Sequence, residues 1–167
     1  MDMYSGPVRK PTRARGYDYR EPGPYFVTIC EHRRQNRFGE IQDAEMRLSA
    51  AGEMVWRAWH ALVAKFPTAG FDAFVAMPNH VHGLVIVGAD DVPNNPSLST
   101  IVGWFKTMTT NWYVHGVRDN GWPSYDGHLW QRSFHDRIVR NDAEMDRIQA
   151  YIANNPAVWT NDTFYKP

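Results

Sequence analysis

The chain of 167 residues is 43% hydrophobic, 14% aromatic and 22% charged, with 18 basic residues balancing 18 acidic ones. That length suits one domain with a sizeable core, and seven Trp beside a moderate charged fraction exclude a disordered chain. No apolar run approaches the ~18 residues that a bilayer span requires, and a single cysteine, Cys30, excludes a disulfide framework and a Cys-based zinc cluster.

Residues 1–24 are rich in Arg, Tyr, Gly and Pro without periodicity and read as a basic irregular arm, leaving residues 25–167 as one domain. The arm lacks the apolar stretch of a secretory signal, so a cytoplasmic protein is expected. Over the whole chain Arg outnumbers Lys fourteen to four. Guanidinium forks match phosphate, but genomic base composition explains such a bias equally well.

Tyr25 to Cys30 is aromatic and β-branched and reads as the first strand. From Ser49 the period becomes helical, with Met54, Val55, Ala58, Trp59, Leu62, Val63 and Phe66 at helical spacing until Pro67. Phe71 to Met77 and His82 to Val87 are the next strands, separated at Pro78-Asn79 and followed by a loop over Asp90–Pro96. Ser97 is placed to cap a second helix carrying Leu98, Ile101, Val102, Phe105, Met108 and Trp112, and Gly116 to His128 reads as a loop. Leu129 to Val139 is the fourth strand. Asn141 then opens a third helix, with Glu144 spaced as in a capping box, and Pro156 ends it. The order βαββαβ, plus a last helix, predicts an α+β ferredoxin-like fold with an antiparallel sheet and its helices on one face.

Two clusters carry chemistry. In Met77-Pro78-Asn79-His80-Val81-His82, the two histidines are two apart on an extended chain and project from one face, where they could share a divalent ion. Spacing alone is more often the mark of a structural pair. In Tyr151-Ile152-Ala153-Asn154-Asn155-Pro156, Tyr151 and Asn155 share a helical face beside the apolar row Met145, Ile148 and Ile152. They read either as a core-edge aromatic and a cap, or as a nucleophile and a ligand. A phenol of pKa ~10 attacks at neutral pH only with help from a cation. Tyr113 and Tyr165 lack that Asn-Pro context, and the adjacent His135-Asp136 points to opposite faces of a strand, which rules out a Ser-His-Asp reading.

Taken in chain order, these motifs resemble the single-tyrosine HUH transposases, in particular the REP-associated tyrosine transposases, over roughly residues 15–160. Pro22-Gly23-x-Tyr25-Phe26-Val27-Thr28, Phe105-Lys106 and Leu129-Trp130-Gln131-Arg132-Ser133-Phe134-His135-Asp136, running on to Ile138-Val139-Arg140, belong to the same resemblance. It implies a strand transferase that nicks and rejoins single-stranded DNA beside a hairpin. His80 and His82 would hold Mg²⁺ or Mn²⁺, Asn155 would be the further ligand, and Tyr151 would attack the phosphate to leave a 5′-phosphotyrosine and a free 3′-OH. No Gly-rich nucleotide loop is present or needed, because the phosphoester energy is conserved. That ligand set lacks a carboxylate, so an ion held weakly in the free protein is expected. Arg9, Lys10, Arg13 and Arg15 of the arm, with Lys106, Arg132, Arg137 and Arg140, are candidate DNA contacts, although a solvated surface accounts for them as well. By the same resemblance a monomer is favoured, as in the REP-associated branch, with the helix-swapped dimer of mobile relatives as the alternative. A catalytically silent hairpin binder and a metal-dependent nuclease using water are the competing readings.

Overall fold

The computed structural model describes residues 21–88, 93 and 95–167. The basic arm residues Arg9, Lys10, Arg13 and Arg15 and most of the expected 90–96 loop lie outside the described residues. Among the described residues six strands, β1 (Gly23–Cys30), β2 (Gly39–Gln42), β3 (Glu45–Leu48), β4 (Gly70–Met77), β5 (His80–Val87) and β6 (His135–Ile138), accompany three helices. These are α1 (Ala50–Lys65), α2 (Leu98–Asn120) and α3 (Asp142–Asn154), and a 3₁₀ segment, Asn155–Asn161, continues from α3. The main sheet has the order β4-β5-β1-β6, antiparallel throughout, which is the ferredoxin-like arrangement expected from the element order.

Alternation along β1 and β5 sorts the molecule into two layers of packing. Tyr25, Val27 and Ile29 of β1, with Val81, Val85 and Val87 of β5, join the large core formed with α1 and α2. Leu84 faces the other way and meets Val139, Ile148 and Ile152 in a second, smaller cluster, against which Phe26 and Val75 pack. The helices of the βαββαβ unit thus cover one face, and α3 covers the opposite one. At Gly83 an added Cβ would come within 2.3 Å of the Trp59 ring, so only glycine lets that indole lie flat on the sheet.

The structure differs from the sequence reading at several elements. The β2–β3 hairpin was absent from that reading because its turn is Asp43-Ala44, both at positive φ (51° and 63°), rather than the Asn-Gly or Asp-Gly that marks such turns. Helix α2 runs through Gly116 to Asn120 instead of giving way to a loop. Gly116 is tolerated inside it because the Trp122 ring occupies the space of a Cβ, and the helix stops at Gly121 in the left-handed region (φ 69°). The expected fourth strand shrinks to β6 plus a single bridge between Glu31 and Trp130. Lys106 Nζ donates to the carbonyls of Gln131 (2.6 Å) and Arg132 (3.0 Å), which ties that stretch to α2 rather than to a strand. The capping box is half formed. Asn141 Oδ1 accepts from the Glu144 N–H, but the Glu144 carboxylate takes the Arg140 N–H and Arg137 instead of closing on Asn141.

Candidate metal and tyrosine site

His80 and His82 begin β5 and share the sheet face that looks towards α3, both fully buried. Their Nε2 atoms lie 3.0 Å apart. Asn79 fixes the first ring. Its Nδ2 donates to the carbonyls of Arg34 (3.2 Å) and Phe164 (2.9 Å), which leaves Oδ1 to accept the Nδ1–H of His80 at 2.9 Å. The His80 Nε2 lone pair is thereby directed into the gap. Thr28, opposite His82 in the β1–β5 register, brings Oγ1 within 2.8 Å of His82 Nδ1.

Burial pushes the imidazole of His82 down to about 3, and burial, the neighbouring His82 and the charge of Arg34 hold His80 well below its ordinary value. Both rings are therefore neutral at physiological pH, the form that ligates a metal.

Helix α3 carries Tyr151 to this gap. Ile148 and Ile152 anchor the helix in the smaller cluster, while Tyr151, 43% exposed, stands at the margin with Oη 3.5 Å from His82 Nε2. Phe26 packs against both, stacked on His82 (centroids 5.2 Å apart) and edge-on to Tyr151 (5.9 Å), and the His82 and Tyr151 rings are themselves 5.4 Å apart. Burial and the nearby charge of Asp162 raise the phenol above its ordinary value, against a smaller opposing effect of Asn155. Tyr151 is a phenol, not a phenolate, in the protein as it stands.

Asn155, one turn on, is fully buried, and neither atom of its amide makes a hydrogen bond of ordinary geometry. Asp162 enters from the end of the 3₁₀ segment. Its Oδ2 lies 3.9 Å from His80 Nε2, its side chain is almost wholly buried, and that oxygen is also without a hydrogen-bond partner. His80, His82 and Asp162 offer ligand atoms all within 4.8 Å of one another, and no further His/Cys/Asp/Glu group of this kind occurs among the described residues.

Orphaned buried oxygens call for a cation or donor. Two imidazole nitrogens 3.0 Å apart match the ~3 Å edge between neighbouring ligands on an octahedral ion with bonds of ~2.1 Å. The donor set therefore fits a divalent metal. The sequence reading missed Asp162, although it is the sole acidic residue beyond Asp146 and so the sole carboxylate available downstream of Tyr151.

The other candidates distribute differently. Lys106 is engaged with the Gln131 and Arg132 carbonyls, and with Arg132 it borders a groove beside α2 that also includes Tyr125 and His128. Arg137 pairs with Glu144, and Arg140 is exposed next to it. Tyr113 is buried with its hydroxyl donating to the Pro123 carbonyl (2.9 Å), and Tyr165 lies on the surface with its ring edge-on to Trp159. No helix among the described residues is long and apolar enough to cross a membrane.

Comparisons with known proteins agree with this architecture. An uncharacterized protein of Haemophilus influenzae (strain ATCC 51907 / DSM 11121 / KW20 / Rd) is 32% identical over 174 residues, covering 94% of this chain and 93% of its own. Among solved structures, a REP-associated tyrosine transposase bound to a REP hairpin superposes with a TM-score of 0.61 at 19% identity, over 86% of this chain and 71% of that one; it is a likeness of fold. The model of the family described as "Transposase IS200 like" matches residues 25–155. That span opens in β1 and closes at Asn155, so it takes in both histidines, Tyr151 and the sheet that aligns them: the chain belongs to the IS200-like transposase family.

Proposed function

We propose that this transposase nicks and rejoins single-stranded DNA next to a hairpin through a covalent 5′-phosphotyrosine at Tyr151, in the manner of the REP-associated branch. The observation that carries the reading is the convergence of Tyr151 Oη, 3.5 Å from His82 Nε2, on a buried His80–His82–Asp162 group. His80, His82 and Asp162 would hold Mg²⁺ or Mn²⁺, with the unpartnered amide of Asn155 at its edge. A divalent ion bound there supplies neutralisation of charge on the non-bridging phosphate oxygens.

The protein's own residues do the rest. Asn79 and Thr28 hold the imidazoles in orientation, and Phe26 keeps the tyrosine helix at a fixed distance from them. Tyr151 is presented, partly exposed, for in-line attack. The Oη–P bond forms as the P–O3′ bond breaks; the phenol proton leaves to solvent and the departing 3′ oxygen takes one up. Attack by another 3′-OH reverses the step and completes the transfer. The hairpin preference is supported by the fold shared with a hairpin-bound transposase and by the resemblance of the Tyr-Ile-x-x-Asn-Pro and Met-Pro-Asn-His-x-His motifs. Arg132, Arg140, Lys106 and the arm are the proposed DNA contacts, with a single copy of the chain as the working unit.

The test combines wild type and Tyr151→Phe with hairpin-bearing single strands from the flanks of the gene, with Mn²⁺ or EDTA, read on denaturing gels and by peptide mass spectrometry. The expected result is a metal-dependent adduct on the Tyr151 peptide that the variant lacks. Cleavage persisting in Tyr151→Phe would make the protein a hydrolytic nuclease, and tight binding with no cleavage would make it a silent hairpin binder.

A further inference from the structure

Between β1 and β2 the chain makes a turn around a buried carboxylate. Glu31, 1% exposed, accepts the N–H of Arg33 (2.7 Å) and of Gln35 (2.9 Å) on one oxygen and Arg37 Nε (2.7 Å) on the other. Arg34 sits at the apex between those two N–H groups. Its own N–H donates to the Glu31 carbonyl (3.2 Å), and its carbonyl accepts from Asn79 Nδ2 (3.2 Å). Pinned on both sides, Arg34 adopts φ 56°, a left-handed conformation that is strained for any residue but glycine.

The three arginines of this turn have different fates. Arg33 pairs with Asp126 and Arg37 with Glu31, whereas Arg34 has no carboxylate partner among the described residues. Its guanidinium lies over the face of Phe164, 5.0 Å from the ring centre, and that ring is 4.7 Å from the His80 ring and 6.1 Å from the His82 ring. A strained apex therefore holds an unpaired cation one aromatic ring away from the two histidines.

We infer that Arg34 is a phosphate-contacting residue of the strand-transfer reaction, its guanidinium binding a non-bridging oxygen of the phosphodiester attacked by Tyr151. This rests on the function proposed above. The chemistry calls for such a group, because the pentavalent phosphorus gathers negative charge on its equatorial oxygens while Oη–P forms and P–O3′ breaks. A planar fork binds two oxygens where an ammonium binds as a point charge. The stack on Phe164 keeps the fork oriented without neutralising it, as a carboxylate would. The same positive charge opposes cation binding at the histidines, so a purely structural or metal-holding role is a poor account of an arginine here.

The experiment uses the full-length protein, a single strand whose cleavage position has been mapped with wild type, and three variants, Arg34→Ala, Arg34→Lys and Arg34→Gly. Glycine relieves the left-handed backbone and guards against a folding failure in the alanine variant. Single-turnover adduct formation at saturating DNA should fall about 100-fold in the alanine and glycine variants, the loss typical of one transition-state donor. Lysine should restore part of it. Mn²⁺ affinity, measured without DNA, should be unchanged or tighter, opposite in sign to the loss of rate. Adduct formation within about threefold of wild type in the alanine and glycine variants would overturn the role of Arg34 alone. Equal losses in all three variants together with weaker Mn²⁺ binding would also overturn it, by making the residue a brace. Absence of any Tyr151 adduct with wild type would remove the parent reading and this role together.

Discussion

Thr28 and His82 face one another across the β1–β5 pair with Oγ1 2.8 Å from Nδ1. A hydroxyl rotates freely between donor and acceptor, so this contact admits either tautomer of His82. With the Thr28 hydroxyl donating, His82 carries its proton on Nε2 and can donate it to His80 Nε2 across 3.0 Å. With the hydroxyl accepting, both Nε2 lone pairs are available to a cation. Thr28→Val keeps the β-branched shape and removes this adaptability. It should lower Mn²⁺ affinity about 10- to 100-fold, as loss of a partner behind a ligand does, and destabilise the fold by about 1–3 kcal/mol for the orphaned ring nitrogen. Calorimetric Mn²⁺ titration and a urea melt check the two numbers.

The carboxylate of Asp162 would add to the proposed metal site the formal charge that two imidazoles and an amide lack. Asp162→Asn retains its shape, so a fall in Mn²⁺ affinity of at least about tenfold is expected with little change in melting temperature. Asn155→Ala should weaken binding less, because a neutral amide is a poorer partner than a carboxylate. Equal affinities in wild type and Asp162→Asn, measured by titration without DNA, would take the aspartate out of the ligand set.

Acid should unfold the metal-free protein earlier than its carboxylates alone require. The folded-state values of His80 and His82 lie below the ordinary one, His82 at about 3, chiefly through burial. Below pH ~6.5 the unfolded chain takes up protons on both rings and the folded chain does not. The stability tied to keeping them neutral is therefore complete above ~6.5 and is lost as pH falls towards the folded values. Each ring contributes a slope approaching ~1.4 kcal/mol per pH unit. Urea midpoints in EDTA should decline steadily from pH 7 to pH 5, and a flat profile over that interval would contradict the buried neutral pair.

Much of this site could be read from residues alone, for a definable reason. Both His80–His82 and Tyr151–Asn155 lie within single elements, where strand and helix periodicities dictate which side chains share a face. The element order then brought the two faces together, since β5 is interior to the sheet and α3 follows β6 across it. Asp162 and Arg34 escaped because neither sits in a periodic element. One follows a 3₁₀ segment and the other occupies a turn wound around Glu31, so their position depends on hydrogen bonds distant in sequence, Asn79 to Phe164 and Asn79 to Arg34 among them. The β2–β3 hairpin was hidden likewise, its Asp43-Ala44 turn carrying no local signature.

The division of the packing into two clusters has a consequence for how such a protein can change. Leu84, Val139, Ile148 and Ile152 hold the tyrosine helix, apart from the larger cluster that joins α1 and α2 to the sheet. Alignment of Tyr151, the proposed nucleophile, is thus delegated to four aliphatic side chains, while resistance to unfolding resides mostly elsewhere. Catalytic power and thermal robustness are consequently separable quantities in this molecule. A lineage can retire or retune its chemistry through a methyl group or two under α3 and still keep a well-folded protein.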